Sequence, residues 1–381
     1  MQLKRILPLA MASVVAAQDQ NTSLTDALGA QNSSLSALNG LLQSSGLAQQ
    51  LDQLSNVTIL APNNDALSSL LNNSDAASAL SDSGAVDALL SYHILNGTYY
   101  ADSFTNTSIF IPTYLTNKTY ANVTGGQRVE ARVSDGNVTI FSGLKQNATV
   151  LTPNLNFTGG VIHIIDSVLS VPQNLTATLS NANLTAAAGA ITTANIQDTV
   201  SSLMNVTVFA PNNEAFNEIG SILANLSTDD LRSTLGYHVV ENTVAYSSDI
   251  QNSTLTASNG DELNIYNING SVFVNAARVT IPDLLVSNGV VHVIDQVLNP
   301  SNSTATPDPS ATSAGPAYSG ASSGSSGVPY TSGVATPTGT NPAQTSGGSA
   351  SSTTSNPGVP MKTGAVGAAA LFGGAAMLVN F

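Results

Sequence analysis

The sequence predicts an α+β fold built as two tandem copies of one domain, on three observations: blocks that recur in order, helical periodicity opening each copy, and strand alternation closing it. Val57-Thr58-Ile59-Leu60-Ala61-Pro62-Asn63-Asn64-Asp65-Ala66-Leu67 returns as Val206-Thr207-Val208-Phe209-Ala210-Pro211-Asn212-Asn213-Glu214-Ala215-Phe216. Leu90-Ser91-Tyr92-His93-Ile94-Leu95 returns as Leu235-Gly236-Tyr237-His238-Val239-Val240. The run from Gly160 to Leu169, containing His163 and Asp166, returns from Gly289 to Leu298 with His292 and Asp295. Three blocks in one order mark a duplication. The offset falls from 149 at Pro62/Pro211 to 145 at His93/His238 and 129 at His163/His292, so copy one is longer, mostly after its Tyr-His block. The surplus is expected around Phe104 to Thr124 as a solvent-facing loop.

Apolar residues at helical spacing open each copy: Leu35, Leu38, Leu42, Leu51 and Leu54 in the first, Leu184, Ile191, Ile196, Val200 and Leu203 in the second. A short apolar strand follows and ends at Ala-Pro-Asn-Asn, where proline and asparagine supply a turn and a helix N-cap. Helices are expected over Ala66 to Leu71, Val86 to Leu95 and Leu231 to His238, the last capped by Ser227-Thr228-Asp229-Asp230. Alternation over Arg128 to Val133 and over Val272 to Val274 predicts strands. Asp135-Gly136 and Asn269-Gly270 sit where two-residue hairpin turns need positive φ. Helices followed by an antiparallel meander make an α+β domain.

The chain divides into a signal peptide (1–17), copy one (18–171), copy two (172–300), a Ser/Thr/Gly/Pro-rich stalk (301–355) and a C-terminal signal (356–381). Lys4 and Arg5, the apolar stretch Ile6 to Ala16 and the small residues Val15-Ala16-Ala17 read as a cleaved leader. The apolar run from Gly364 to Phe381, behind a polar spacer and the small residues Gly348-Ser349-Ala350-Ser351-Ser352, reads as a glycosylphosphatidylinositol attachment signal. The stalk has no apolar periodicity and is expected to be disordered and O-glycosylated.

Removing both signals leaves six basic against 23 acidic residues. That balance argues against nucleic acid or anionic lipid as a partner, since both need clustered cations. Cysteine is absent, so the fold rests on packing rather than disulfides. Asn-x-Ser/Thr sequons occur at Asn21, Asn32, Asn56, Asn72, Asn96, Asn106, Asn117, Asn122, Asn137, Asn147, Asn156, Asn174, Asn183, Asn205, Asn225, Asn252, Asn269 and Asn302. Behind a leader, this density points to a heavily N-glycosylated surface.

All four histidines, His93, His163, His238 and His292, belong to the repeated blocks. Each sits between apolar neighbours, with no second histidine at i+4 and no cysteine or glutamate at ligand spacing, so a structural, hydrogen-bonded role is expected over a metal or general-base role. Ser142-Gly143-Leu144-Lys145 fits a Ser-x-x-Lys pattern and Lys362-Thr363-Gly364 a Lys-Thr-Gly pattern. The first follows a strand rather than opening a helix, and the second falls in the terminal signal. Asp229-Asp230 and Asp261-Glu262 read as a cap and a turn rather than a glycosidase pair. No cofactor, metal or catalytic group is expected.

The blocks Phe209 to Phe216, Tyr237-His238 and Ser287 to Asp295, with their copy-one counterparts, resemble the fasciclin-like domain over about Asn21 to Leu298. That resemblance implies a β-sandwich-like wedge with helices packed along it, cell adhesion with matrix or wall association, and no enzyme activity. It also implies contact residues in copy two, at Tyr237, His238, Pro282, Asp283 and Leu284. Copy one has Pro153-Asn154-Leu155 in place of the last three and a sequon at Asn156; Tyr92, His93, His163, Asp166, His292 and Asp295 are read as structural. Dense sequons, the stalk and the lipid anchor look like a fungal surface protein with surface, matrix or wall partners. Wall-polysaccharide or small-ligand binding is the second reading and an enzyme the third. On the anchor reading, a phospholipase specific for glycosylphosphatidylinositol releases the protein from membranes; release by detergent alone would replace the anchor with a spanning segment.

Overall fold

The computed structural model describes residues 22–45, 48–324 and 327–335. The expected leader, the terminal signal, the sequon at Asn21 and residues 336–355 of the expected stalk lie outside the described residues. Copy one runs α1 (Leu24–Ala30), α2 (Asn32–Ser45), α3 (Ala48–Leu51), β1 (Val57–Pro62), α4 (Asn64–Leu71), α5 (Ser74–Ala79), α6 (Ser83–Tyr92), β2 (Ile94–Asn96), β3 (Ile109–Pro112), β4 (Arg128–Ser134), β5 (Asn137–Phe141), β6 (Asn147–Phe157) and β7 (Gly160–Ile165). Copy two follows as α7 (Leu175–Asn181), α8 (Thr185–Thr193), α9 (Gln197–Ser202), β8 (Val206–Pro211), α10 (Asn213–Glu218), α11 (Gly220–Leu223), α12 (Thr228–Gly236), β9 (Val239–Val240), β10 (Ser253–Thr256), β11 (Glu262–Ile268), β12 (Ser271–Val274), β13 (Ala277–Val286) and β14 (Gly289–Ile294).

Local chemistry sets these boundaries. Asn63 Oδ1 accepts from Ala66 N at 2.8 Å, Asn212 Oδ1 from Ala215 N at 2.8 Å, and Ser227 Oγ from Asp230 N at 3.1 Å, each satisfying an orphan donor of a first turn. The hairpins turn at Asp135 and Gly136 (φ 50° and 80°) and at Asn269 and Gly270 (φ 52° and 83°), as the sequence predicts. Helix α6 stops at Tyr92 rather than Leu95 and α12 at Gly236 rather than His238. The residues beyond each Tyr-His pair leave the helix to pair with the first strand, Ile94–Asn96 with β1 and Val239–Val240 with β8.

Each copy holds one seven-stranded sheet, in the order β2-β1-β7-β6-β5-β4-β3 and, in copy two, β9-β8-β14-β13-β12-β11-β10. The first long strand lies parallel to the last, with Val57 opposite Gly160 and Val206 opposite Gly289. All six residues of β1 and of β8 are buried, as continuous apolar strands covered on both faces require. A Cβ at Gly160 or Gly289 would collide with the carbonyl of Val57 or Val206, so only glycine admits this parallel start. The implied wedge is a sheet rolled until its edges approach: Leu95 bridges Thr113 in copy one, and Ser258 N donates to Val239 O at 2.7 Å in copy two.

The copies meet along a seam built by the longer copy. The stretch expected as a solvent loop buries Leu115, Ala121 and Val123 instead. Phe110 stacks on Tyr246 of copy two at 4.2 Å, Asn122 N donates to Ser287 O at 2.7 Å, and Gln127 Nε2 donates to Val286 O at 2.9 Å. Leu144, 1% exposed, inserts from a turn of copy one into the core of copy two. The insertion is therefore interface, held by apolar burial and backbone bonds that a free loop lacks.

The described part of the Ser/Thr-rich segment carries one 3₁₀ turn, at Pro300–Asn302, and no strand or α-helix, yet it is laid along copy two as a strap. Tyr318, Ala321, Val328, Tyr330 and Val334 pack against the copy-two core, and the Tyr330 backbone passes directly over Gly189. Ala314 N donates to Asp295 Oδ2 at 3.0 Å and Ser221 N to Ser322 O at 3.1 Å. Widely spaced tyrosines and valines supply the burial that the segment's composition otherwise withholds.

Leu144→Ala tests the seam. It removes a buried leucine from a core belonging to the other copy and should cost about 2–5 kcal/mol, read by calorimetry as a lowered transition for copy two. A loss confined to copy one would show that the plug does not carry the docking.

Candidate functional site

The Tyr-His block ends a helix and reaches two other parts of the domain at once. Tyr92 Oη donates to Arg128 O at 2.9 Å and Tyr237 Oη to Glu262 O at 2.8 Å, tying each helix end to the start of β4 or β11. His93 Nδ1 donates to Leu89 O at 2.7 Å, and its Nε2 accepts from Leu169 N at 2.9 Å. His238 repeats this with Thr234 O at 2.8 Å and Leu298 N at 2.9 Å. Since a carbonyl only accepts and an amide N–H only donates, both rings are neutral with the proton on Nδ1.

His163 and His292 use the opposite tautomer. Nε2 donates to Tyr99 O and to Ala245 O, both at 2.8 Å, while Nδ1 accepts from Asn154 N at 3.1 Å and from Asp283 N at 3.4 Å. Asn154 and Asp283 occupy register shifts in β6 and β13 with φ of 62° and 59°, a left-handed conformation that asparagine and aspartate tolerate best. Their side chains also do the same work: Asn154 Oδ1 accepts from Ala101 N at 2.9 Å, and Asp283 Oδ1 accepts from Ser247 N at 2.8 Å, with the Ser247 hydroxyl donating to Oδ2. The acid of copy two and the amide of copy one are thus equivalent bulge residues. Asp166 and Asp295 secure the next turn by accepting from Thr149 N at 2.8 Å and Arg278 N at 2.7 Å.

Of the five contact residues that the resemblance implies, Tyr237, His238, Asp283 and Leu284 are buried and Pro282 is half-exposed. The four buried side chains therefore face the core of copy two. The pattern Ser142-Gly143-Leu144-Lys145 forms a tight turn in which Lys145 Nζ is paired with Glu130 Oε2 at 2.8 Å and Ser142 Oγ accepts from Ser170 N at 3.1 Å. Two supporting residues carry no motif, Asn275, whose Nδ2 donates to Tyr237 Oη at 2.9 Å, and Gln127 on the seam, and Leu144 acts through its place in the copy-two core rather than through the pattern that contains it. Only their contacts across the fold reveal them.

Burial holds the His93 and His238 imidazoles down at about 4, against an ordinary 6.5, with the helix carbonyl bonds opposing the shift. Burial likewise lowers His163 and His292. A ring whose two nitrogens are both committed to the backbone has neither a lone pair for a metal nor a site for a shuttled proton. The outer surface is different in kind. Among the described sequons the asparagines are exposed except Asn122, Asn156 and Asn205, which are half-buried; Asn122 and Asn205 lie on the seam, where Asn205 Oδ1 accepts from Thr124 N at 2.7 Å.

The family model of the fasciclin domain matches residues 33–172 and 182–300. Similar proteins include a fasciclin-like arabinogalactan protein of Arthroderma benhamiae, 37% identical over 302 residues that cover 78% of this chain and 72% of that protein. Another, from Phaeosphaeria nodorum, is 32% identical over 69% of this chain and 84% of its own. Among solved structures, the FAS1 domain pair of the insect cell adhesion molecule fasciclin I matches 71% of this chain and 98% of its own, at 20% identity and a TM-score of 0.34.

The histidines give the fold a pH dependence of definite sign. Their folded pKa lies below the unfolded value, so on acidification the unfolded chain takes up protons first. The stability they confer is complete above about pH 6.5 and is lost as pH falls toward about 4, by about 3 kcal/mol each for His93 and His238. His238→Ala should cost about 1–3 kcal/mol by leaving the Leu298 amide unpaired and should flatten the pH dependence of melting in that window. A variant as stable as wild type, together with a wild type destabilised by chelator, would overturn the structural role.

Proposed function

The chain belongs to the fasciclin domain family, a family of non-enzymatic, adhesion-type proteins, and on that premise we propose that it is a glycosylated extracellular protein that attaches its cell to surface, matrix or wall components. A glycosylphosphatidylinositol anchor holds it at the outer membrane leaflet. Among the described residues no helix is long and apolar enough to cross a membrane. The observation that carries this reading is where the polar chemistry lies: the histidines and the two block tyrosines are buried and bonded to backbone or to each other's supports, while the sequons occupy the outside. Work is left to the surface.

The contact face proposed is the one around Pro282. Pro282, Arg278, Thr280 and Ser247 line an open depression of about 510 Å³ on copy two, and the buried Asp283, Leu284 and His292 hold its floor in place. Tyr237 and His238 then act at a distance, by fixing the sheet that carries the depression. A role of this kind needs no free imidazole or carboxylate.

Cells displaying the full chain, compared with cells displaying Thr280→Arg, test this face on isolated wall or matrix. The variant should attach several-fold less well while its melting temperature falls by no more than the loss of the one bond from Thr280 Oγ1 to Val293 O accounts for. Equal attachment would move the contact to the sugars or to copy one. Asp283→Ala is the poorer test, because removing the bonds to Ser247 lowers stability and attachment together.

A further inference from the structure

The two copies fill the same compartment differently. In copy one, α2 brings Leu38 and Leu42 over β1, and with Leu28, Ile59 and Leu90 they leave a space of only about 30 Å³. Copy two bounds the matching compartment with Leu179, Ile191, Val208, Phe216 and Leu235 and leaves about 150 Å³. At the 149-residue offset of the Pro62/Pro211 block, Ala187 stands where copy one has Leu38, and Val208 where it has Ile59. Both members of each pair line their respective cavities. The larger Phe209 and Phe216, at the positions of Leu60 and Leu67, do not close the space.

A void of this size forfeits packing contacts, and copy one shows that the same fold fills most of it with larger residues, Leu38 and Ile59 among them. The walls are apolar; His238 is among them, but both its ring nitrogens are committed to backbone. Polar groups also line the void where it opens to solvent. Thr199, Arg232 and Ser258 are exposed there, and the half-buried Glu241 accepts from Ser258 Oγ at 2.5 Å. An apolar interior with a polar, solvent-facing mouth selects an uncharged body with at most one polar end, and a dry cavity of this order admits a single aromatic ring.

We infer that copy two is a receptor for a small apolar molecule, of the size of one aromatic ring or a short alkyl chain, which enters between Arg232 and Ser258 and keeps its polar end at that mouth. Copy one, with Leu38 in place, has no such site. The role is separate from surface attachment, since the depression at Pro282 is lined by other residues.

The test uses the full glycosylated chain with indole and 1-hexanol as probes and glucose as a polar control, read by melting temperature and ligand-observed NMR. Indole or hexanol should bind saturably and raise the melting temperature, and glucose should do neither. Ala187→Leu should raise the melting temperature of the free protein and weaken probe binding by about tenfold or more, with attachment to wall or matrix unchanged. Val208→Ile, the copy-one residue at a second wall, should weaken binding in the same direction and decides the matter if Ala187→Leu fails to fold. No binding to wild type, or equal binding to wild type and Val208→Ile, overturns the inference, as does preferential binding of glucose.

Discussion

Each copy depends on an imidazole that stays neutral. The ring joins a helix carbonyl four residues back to the amide of a chain segment that has just left the closing strand, as in the links from Thr234 through His238 to Leu298 and from Leu89 through His93 to Leu169. No aliphatic residue can both donate and accept in that position, and no charged residue could remain there without the desolvation that already lowers these groups. With the helix end fixed, its neighbouring tyrosine reaches the second strand of the meander, β4 or β11. A second imidazole with the reverse tautomer then holds the bulge of the penultimate strand. Two rings per copy therefore register helix, first strand, bulge and closing strand against one another. This explains how the domain holds together without disulfides.

Much of this was legible in the sequence, because the signals are local. Asn63, Asn212 and Ser227 announce helix starts through the geometry of a single turn, and Asp135-Gly136 and Asn269-Gly270 announce hairpins through a required sign of φ. Duplication exposed the structural role of the histidines, since a residue kept between apolar neighbours in both copies marks a shared framework position. What failed was local reasoning about distant partners. The acid that the resemblance implied as a contact residue, Asp283, is turned by the register shift toward Ser247, and the helix ends overran because His93 and His238 cap through contacts 76 residues away at Leu169 and 60 away at Leu298.

The insertion and the first part of the Ser/Thr-rich segment, down to Val334, lie closer against the domains than their composition suggests, for one reason. Both are polar on average, and average composition hides the few apolar side chains that decide where a segment lies. Phe110 and the Asn122 backbone bring a stretch with sequons onto the seam between copies, while its Leu115 packs into the core of copy one. Tyr318, Val328 and Tyr330 do the same for the strap. Periodicity has no hold on such segments, since neither is a helix or a regular strand over most of its length. The copies differ along the same lines: copy one carries the insertion that clasps its neighbour, while copy two carries smaller residues, such as Ala187 and Val208, around its larger cavity.

The strap also sets the leash. For an anchor attached near Gly348-Ser352, a stalk free from residue 301 would let the domains wander up to about 180 Å from the bilayer, whereas a chain bound down to Val334 leaves a tether of at most about 60 Å. On the proposed anchor, copy two would be the membrane-proximal half by a narrow margin and copy one the outward-facing half. Peeling the strap off would roughly triple the height at which the pair rides above its own cell.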